Sequence, residues 1–217
     1  MTKIIIAVCD DFLKQTIIHC VKAVNRGLEI IDGSNDDDLI YHLKSAEDDI
    51  VFFDKFFLGY ILRFKIRALK VINKKLRIIF VEQGFCSRFF GLRVYDLKAD
   101  GFVSDIQNEK EFIEKLRIIF SGRKIFSEEV LDSLHSAEHK TYRKYCSELS
   151  EQELEIAIYL GEGKSIKEIS DLVHISEESV GTQKTRLKRK IGYKSMNDFC
   201  VLNRQMEKTV LRSWHCW

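Results

Sequence analysis

The stretch "DIVFFDKFFLG", Asp49 to Gly59, drives four apolar residues, Ile50 to Phe53, into a single acid, Asp54, and then into a second aromatic cluster. An apolar run with no polar alternation, bounded by polar residues, marks a strand buried on both faces, as in a parallel sheet covered by helices. Four more runs frame it: "KIIIAVCD" (Lys3 to Asp10), "LEIIDG" (Leu28 to Gly33), "LRIIFVE" (Leu76 to Glu82) and "GFVS" (Gly101 to Ser104). Helix-period segments such as "FLKQTIIHCVKAV" and "DLIYHLKSAE" lie between them, and "EKEFIEKLRIIFSG" follows the last, with Phe112, Leu116 and Ile119 at helical spacing. The alternation predicts five β/α units around a five-stranded parallel sheet.

The length of 217 residues allows two domains, and 45% hydrophobic content gives each a core. A net charge of +2 on 35 basic and 33 acidic residues names no partner, so only the local distribution of charge is informative. Cys9, Cys20, Cys86, Cys146, Cys200 and Cys216 form no CxxC pair and no zinc spacing, which predicts reduced thiols. The opening "MTKIIIAVCDD" meets acid too early for a signal peptide, and no apolar run approaches the roughly 20 residues of a membrane span. A cytoplasmic protein with no membrane partner is expected. With no nucleophile and base pair and no phosphate-cradling glycine loop, an enzyme is not expected.

In open parallel sheets, functional groups gather at the carboxyl ends of the strands. Asp10 and Asp11 end the first strand here, Asp54 the third and Glu82 the fourth, and Asp105 follows the fifth. One acid in such a place is an ordinary helix cap or turn residue. Acids at four of five strand ends predict a site.

The segments "VCDDF", "DIVFFDKFFLG" and "LKADGFVSD" resemble the flavodoxin-like receiver domain of bacterial response regulators, in the NarL/FixJ group with a LuxR-type output domain. The resemblance implies that Asp54 is the phosphoacceptor position, that Asp10, Asp11 and Asp54 hold a possible Mg²⁺, and that Phe102 is the switch aromatic. Mg²⁺ wants hard oxygen ligands of this kind; no cofactor is required by the reading. Two family groups are replaced, because Glu82 stands where receivers carry Ser or Thr and Asp105 where they carry Lys. Two like charges about 4 Å apart repel by roughly 4 kcal/mol at an effective dielectric near 20. Protonation, a tightly held cation, or side chains turned away into solvent would each relieve that repulsion. The expectation is an atypical receiver acting independently of phosphorylation. The alternatives are a conventional regulator phosphorylated on Asp54 by a sensor kinase, and an accessory regulator that needs a partner regulator.

After residue 122 the periodicity weakens, and "SAEHKTYRKYCSE" (Ser136 to Glu148) is polar without glycine or proline. The expected division is a receiver-like domain over 1–122, a partly helical linker over 123–147, and an all-α domain over 148–217. Three helix starts follow, each a serine with an acid two or three residues on: Ser150 with Glu153, Ser165 with Glu168, and Ser176 with Glu178. Leu154, Ala157 and Ile158 give the first helix an apolar face, and Ile166, Ile169, Leu172 and Val173 the second. Three short helices with tight joins suggest a helix-turn-helix.

In the third helix, Val180, Leu187 and Ile191 fall on one side, and Glu178, Thr182, Thr185 and Arg189 on the other. Lys184, Arg186, Lys188, Arg189, Lys190 and Lys194 form a cationic patch with no acid among them. From "LSEQELEIAIYLGEGKSIKEISDLVHISEESVGTQKTRLKRKIGYKS" the segment is identified as a member of the LuxR-type helix-turn-helix family. The resemblance implies a recognition helix over Ser176 to Ile191 on double-stranded promoter DNA, with Thr182 and Thr185 facing base edges and Lys184, Arg186, Lys188 and Arg189 on phosphates. Gly181 stands where the family commonly has Lys. The fourth helix implied by the family carries Phe199, Leu202 and Met206 and dimerises, so a homodimer is expected. The terminal Trp214, His215, Cys216 and Trp217 supply too few ligands for a metal site. "GFCSRFFG", with Phe85, Phe89 and Phe90, is read as helix packing or an interface.

Overall fold

The computed structural model describes residues 2–33, 35–44, 48–58, 62–84, 88–137, 139–140, 143, 148–161 and 163–191. The chain divides into two compact units, Met1–Leu131 and Asp132–Trp217.

The first unit is built on strands β1 (Lys3–Ala7), β2 (Glu29–Asp32), β3 (Ile50–Phe53), β4 (Arg77–Val81), β5 (Gly101–Val103) and β6 (Ile125–Phe126), all parallel in the order β2-β1-β3-β4-β5-β6. Helices α1 (Asp11–Val24), α2 (Asp36–Leu43), α3 (Lys55–Leu58), α4 (Leu62–Ile72), α5 (Arg88–Asp96) and α6 (Glu109–Phe120) connect the strands, and α7 (Glu128–Ser133) follows β6. All four residues of β3 are buried, as a central strand covered on both faces requires. One core layer joins Ile4, Ile6, Phe52 and Ile79 to Leu13 and Ile17 of α1 and Phe112, Leu116 and Ile119 of α6. The helical spacing seen in the sequence is thus the buried face of α6.

The expected five-stranded sheet has a sixth strand among the described residues. Gly101 pairs with Ile125 and Phe102 with Phe126, so the segment read as linker from residue 123 begins inside the sheet. A two-residue strand is too short for any periodicity to reveal. Gly91 explains how closely α5 sits on that edge: a Cβ there would come within 2.4 Å of Val130 and 3.1 Å of the Phe102 ring.

The second unit contains α8 (Glu151–Gly161), α9 (Ile166–Val173) and α10 (Glu177–Ile191), each packed against the other two. Leu154, Ile156, Ala157, Ile158, Ile169, Val180 and Leu187 are buried. Ser150 and Glu153 exchange bonds with each other's backbone N–H at 3.2 and 2.8 Å, and Ser165 and Glu168 do the same, so both expected capping boxes form. The third cap differs, because Ser176 accepts from the Ser179 amide at 3.1 Å rather than pairing with Glu178. Leu172, assigned to the apolar face of the second helix, is 46% exposed. His174 ends α9 in the left-handed conformation, φ 53°. Phe199, Leu202, Met206, Lys194 and the Trp214–Trp217 tail lie outside the described residues, as does Phe85, while Phe90 is buried in the receiver-like core.

Candidate functional site

The expected acidic residues lie at the carboxyl ends of the strands, and most of them are engaged locally. Asp54 follows β3 and is 3% exposed. Its Oδ2 accepts the Cys9 backbone N–H and its Oδ1 the Phe57 backbone N–H, both at 2.7 Å. One carboxylate thereby clamps the loop after β1 and caps α3. Asp10 is the N-cap of α1, accepting from the Leu13 amide at 2.6 Å. Asp11 points into solvent with its side chain 96% exposed, 3.8 Å from Lys14.

Glu82 lies 3.5 Å from Lys55, the residue next to Asp54, and Lys55 also covers the Phe56 ring at 5.3 Å. Asp105 is exposed and left-handed, φ 52°, and its N–H donates to the Gly84 carbonyl at 3.0 Å. Of these acids Asp11 and Asp105 turn to solvent, Glu82 lies beside Lys55, and Asp54 is buried against two backbone amides. Lys55 was not singled out in the sequence, where its position beside Asp54 was the available signal.

Of the carboxylates expected to hold Mg²⁺, Asp10 and Asp54 are already engaged by the backbone. Both Asp54 oxygens and one Asp10 oxygen are directed at backbone amides, and among the described residues no three His, Cys, Asp or Glu side chains converge. The Cys9 thiol is pushed up from its ordinary range, first by burial and then by the Asp54 charge, against a smaller opposing effect of Lys14. It therefore stays protonated at neutral pH.

Phe102, the expected switch aromatic, is buried at 1% exposure and ends a row of rings. Phe53, Phe80, Phe90 and Phe102 follow one another at centroid distances of 5.9, 5.4 and 6.1 Å. The buried Ser104 and Ser127 hydroxyls lie 2.8 Å apart, and the Ser127 N–H donates to the Phe102 carbonyl at 3.0 Å. Ser127 sits in the stretch read as linker, and nothing in its polar surroundings marked it as buried.

In the second unit, Val180 and Leu187 anchor α10 while Glu178, Thr182, Thr185, Arg186, Lys188 and Arg189 are exposed. Lys184 and Gly181 are half-buried on the flank, and a Cβ on Gly181 would meet open space. The Thr185 hydroxyl donates to the Gly181 carbonyl at 3.0 Å. Lys190 departs from the cationic patch: its Nζ donates to Glu153 of α8 at 2.7 Å.

Residues 147–202 match the family described as bacterial regulatory proteins, luxR family. Fimbriae Z protein of Escherichia coli is 28% identical over 132 residues, which cover 60% of this chain and 62% of that protein. The DNA-binding transcriptional activator EvgA of Escherichia coli is 28% identical over 138 residues, 61% of this chain and 65% of EvgA. Residues 147–202 thus carry a LuxR-type helix-turn-helix segment, and the chain is similar to regulators of that kind. The fold agrees over nearly its whole length with the RcsB response regulator of Salmonella typhimurium, at a TM-score of 0.56, 18% identity, and coverage of 95% of this chain and 99% of that one. The chain's matches thus span less than two thirds of the relatives' own lengths.

Glu82 and Asp105 stand at the positions where the resemblance implied a hydroxyl and an ammonium group. Asp10 and Asp54 are held by amides, and Glu82 lies beside Lys55. On α10, Thr182, Thr185, Arg186 and Arg189 are exposed, whereas Lys190 is engaged by Glu153. Among the described residues, no helix is long and apolar enough to cross a membrane.

Proposed function

We propose that the chain is a transcription regulator that binds promoter DNA as a homodimer in the cytoplasm, with a receiver-like unit that works without phosphoryl transfer to Asp54. The observation that carries DNA binding is the exposed face of α10, where Thr182, Thr185, Arg186 and Arg189 stand opposite the anchors Val180 and Leu187. Such a helix presents side chains to base edges in a major groove, with flanking cations on phosphates. The name of EvgA, which describes it as DNA-binding, supports the same reading.

Independence from phosphorylation is supported by the two amides directed at Asp54 and by the acids at positions 82 and 105. A phosphoryl group arriving there would displace two hydrogen bonds and meet Glu82 and Asp105 in place of a hydroxyl and a cation. The second reading, phosphorylation of Asp54 by a sensor kinase, is favoured by the position of Asp54 at the carboxyl end of β3, beside the loop that carries Asp10.

The experiment is selection from a random-sequence duplex library by the full chain and by Asp54→Asn, at fixed salt, with and without acetyl phosphate and Mg²⁺. The expected result is one enriched motif of two half-sites, common to both proteins and unchanged by the donor. Absence of enrichment overturns DNA binding. Tightening by the donor for the unsubstituted chain alone selects the phosphorylated reading.

A further inference from the structure

Six cations and no acid lie between Leu62 and Lys75, a density that matches α10 but belongs to the first unit. Helix α4 buries Leu62, Ile66 and Leu69. Its other side carries Phe64 and Val71, 65% and 79% exposed, with the exposed Ala68 between them. These three stand at i, i+4 and i+7, a single stripe along the helix. Helix α2 packs beside α4 and adds Tyr41 at 73% exposure and Ile40 at 39%. Exposed apolar residues scattered singly need no explanation, but four gathered on one helix pair mark an interaction surface.

The charges follow the same repeat. Arg67 comes three residues after Phe64, and Lys74 three after Val71. Both are exposed, and neither makes an ion pair among the described residues. Their neighbours are occupied: Lys65 donates to the Leu58 carbonyl at 2.7 Å, Lys70 to Asp100 at 2.8 Å, and Lys75 lies 4.0 Å from Asp48. An apolar residue repeated after seven, with a cation repeated at the same interval beside it, is the period of a seam between two helices.

We propose that the outer face of α4 docks an amphipathic helix of a partner protein, one whose apolar stripe is flanked by Asp or Glu. The apolar stripe covers Phe64 and Val71, and the acidic flank pairs with Arg67 and Lys74. Nucleic acid would use the cations and leave the stripe in water. An anionic membrane surface would meet the same cations, and it is set apart from a helix by the vesicle arm of the test below. This surface owes nothing to the DNA-binding reading, because it lies in the other unit.

The test uses the full chain and a labelled synthetic helix about three heptads long, with leucine at a and d and glutamate at the flanking positions; a second peptide carries lysine instead. The glutamate peptide is expected to bind at least about tenfold more tightly than the lysine peptide. Phe64→Ser with Val71→Ser, and separately Arg67→Glu with Lys74→Glu, should each weaken it about tenfold or more at an unchanged unfolding midpoint. The proposal is overturned if the glutamate peptide does not bind or if it binds both variants as well as the parent. It is also overturned if vesicles of phosphatidylglycerol and phosphatidylcholine, rather than the peptide, capture the chain through these residues.

Discussion

Lys190 near the end of α10 donates a 2.7 Å hydrogen bond to Glu153 in the first turn of α8, and Glu153 at the same time accepts the Ser150 amide at 2.8 Å. Burial acts to raise the Glu153 carboxyl, but the bonds from Lys190 and Ser150 outweigh it and hold the group below the ordinary glutamate range. A carboxylate with a lowered folded pKa stabilises the fold fully above its unfolded value, near 4.3, and loses that contribution as pH falls through the folded value. Acid titration of the full chain should therefore loosen α8 and α10 below about pH 4, and Glu153→Gln should remove that component. Amide exchange in the two helices is the readout. Lys190→Ala should cost about 1–2 kcal/mol, less than a fully buried charged hydrogen bond, because Lys190 is 45% exposed.

Asp54 should behave as a structural residue. Asp54→Ala leaves the Cys9 and Phe57 amides without their acceptor and should destabilise the first unit by about 2–6 kcal/mol, from roughly 1–3 for each unmatched donor. Asp54→Asn retains one carbonyl oxygen and should cost less than Asp54→Ala. Denaturant titration of the full chain, followed by resonances of β1 and β3, distinguishes the two.

The exposed face of α10 predicts how DNA affinity depends on salt. Arg186→Ala and Arg189→Ala should each weaken duplex binding, and each arginine that rests on a phosphate should lower the slope of log K against log salt by about 1. Lys190→Ala should leave the slope unchanged, since its ammonium is committed to Glu153. Fluorescence anisotropy on one duplex at several salt concentrations measures all three.

Gly181 lies inside α10, where a methyl group would meet open space. Gly181→Ala should stabilise the helix by roughly 0.5–1 kcal/mol through the lost freedom of the unfolded chain. Thermal unfolding of the second unit, followed by helicity, should shift upward.

Much of the fold could be read in the sequence because its signals are long. Ile50 to Phe53 form an unbroken apolar run, Phe112, Leu116 and Ile119 repeat at the helical period, and Ser150 and Ser165 each carry a glutamate three residues on. What escaped was short or depended on contacts distant in sequence. Strand β6 is two residues long, and Ser127 is buried only because β5 accepts it. The acidic positions were found, but their partners were not. The Asp54 bond to Cys9 spans 45 residues and the Lys190 bond to Glu153 spans 37, and neither leaves a local pattern. For the same reason Lys190 looked like one more cation of the free face.

The Ser127 hydroxyl, seated between Ser104 and the Phe102 carbonyl, has a mechanical consequence. The chain leaving the sheet is riveted to β5 before α7 begins. A shift of β5 would then pull directly on that departing segment, with no slack to take up. Ser127→Gly would leave that segment tied to β5 by the single backbone bond from residue 127 to the Phe102 carbonyl.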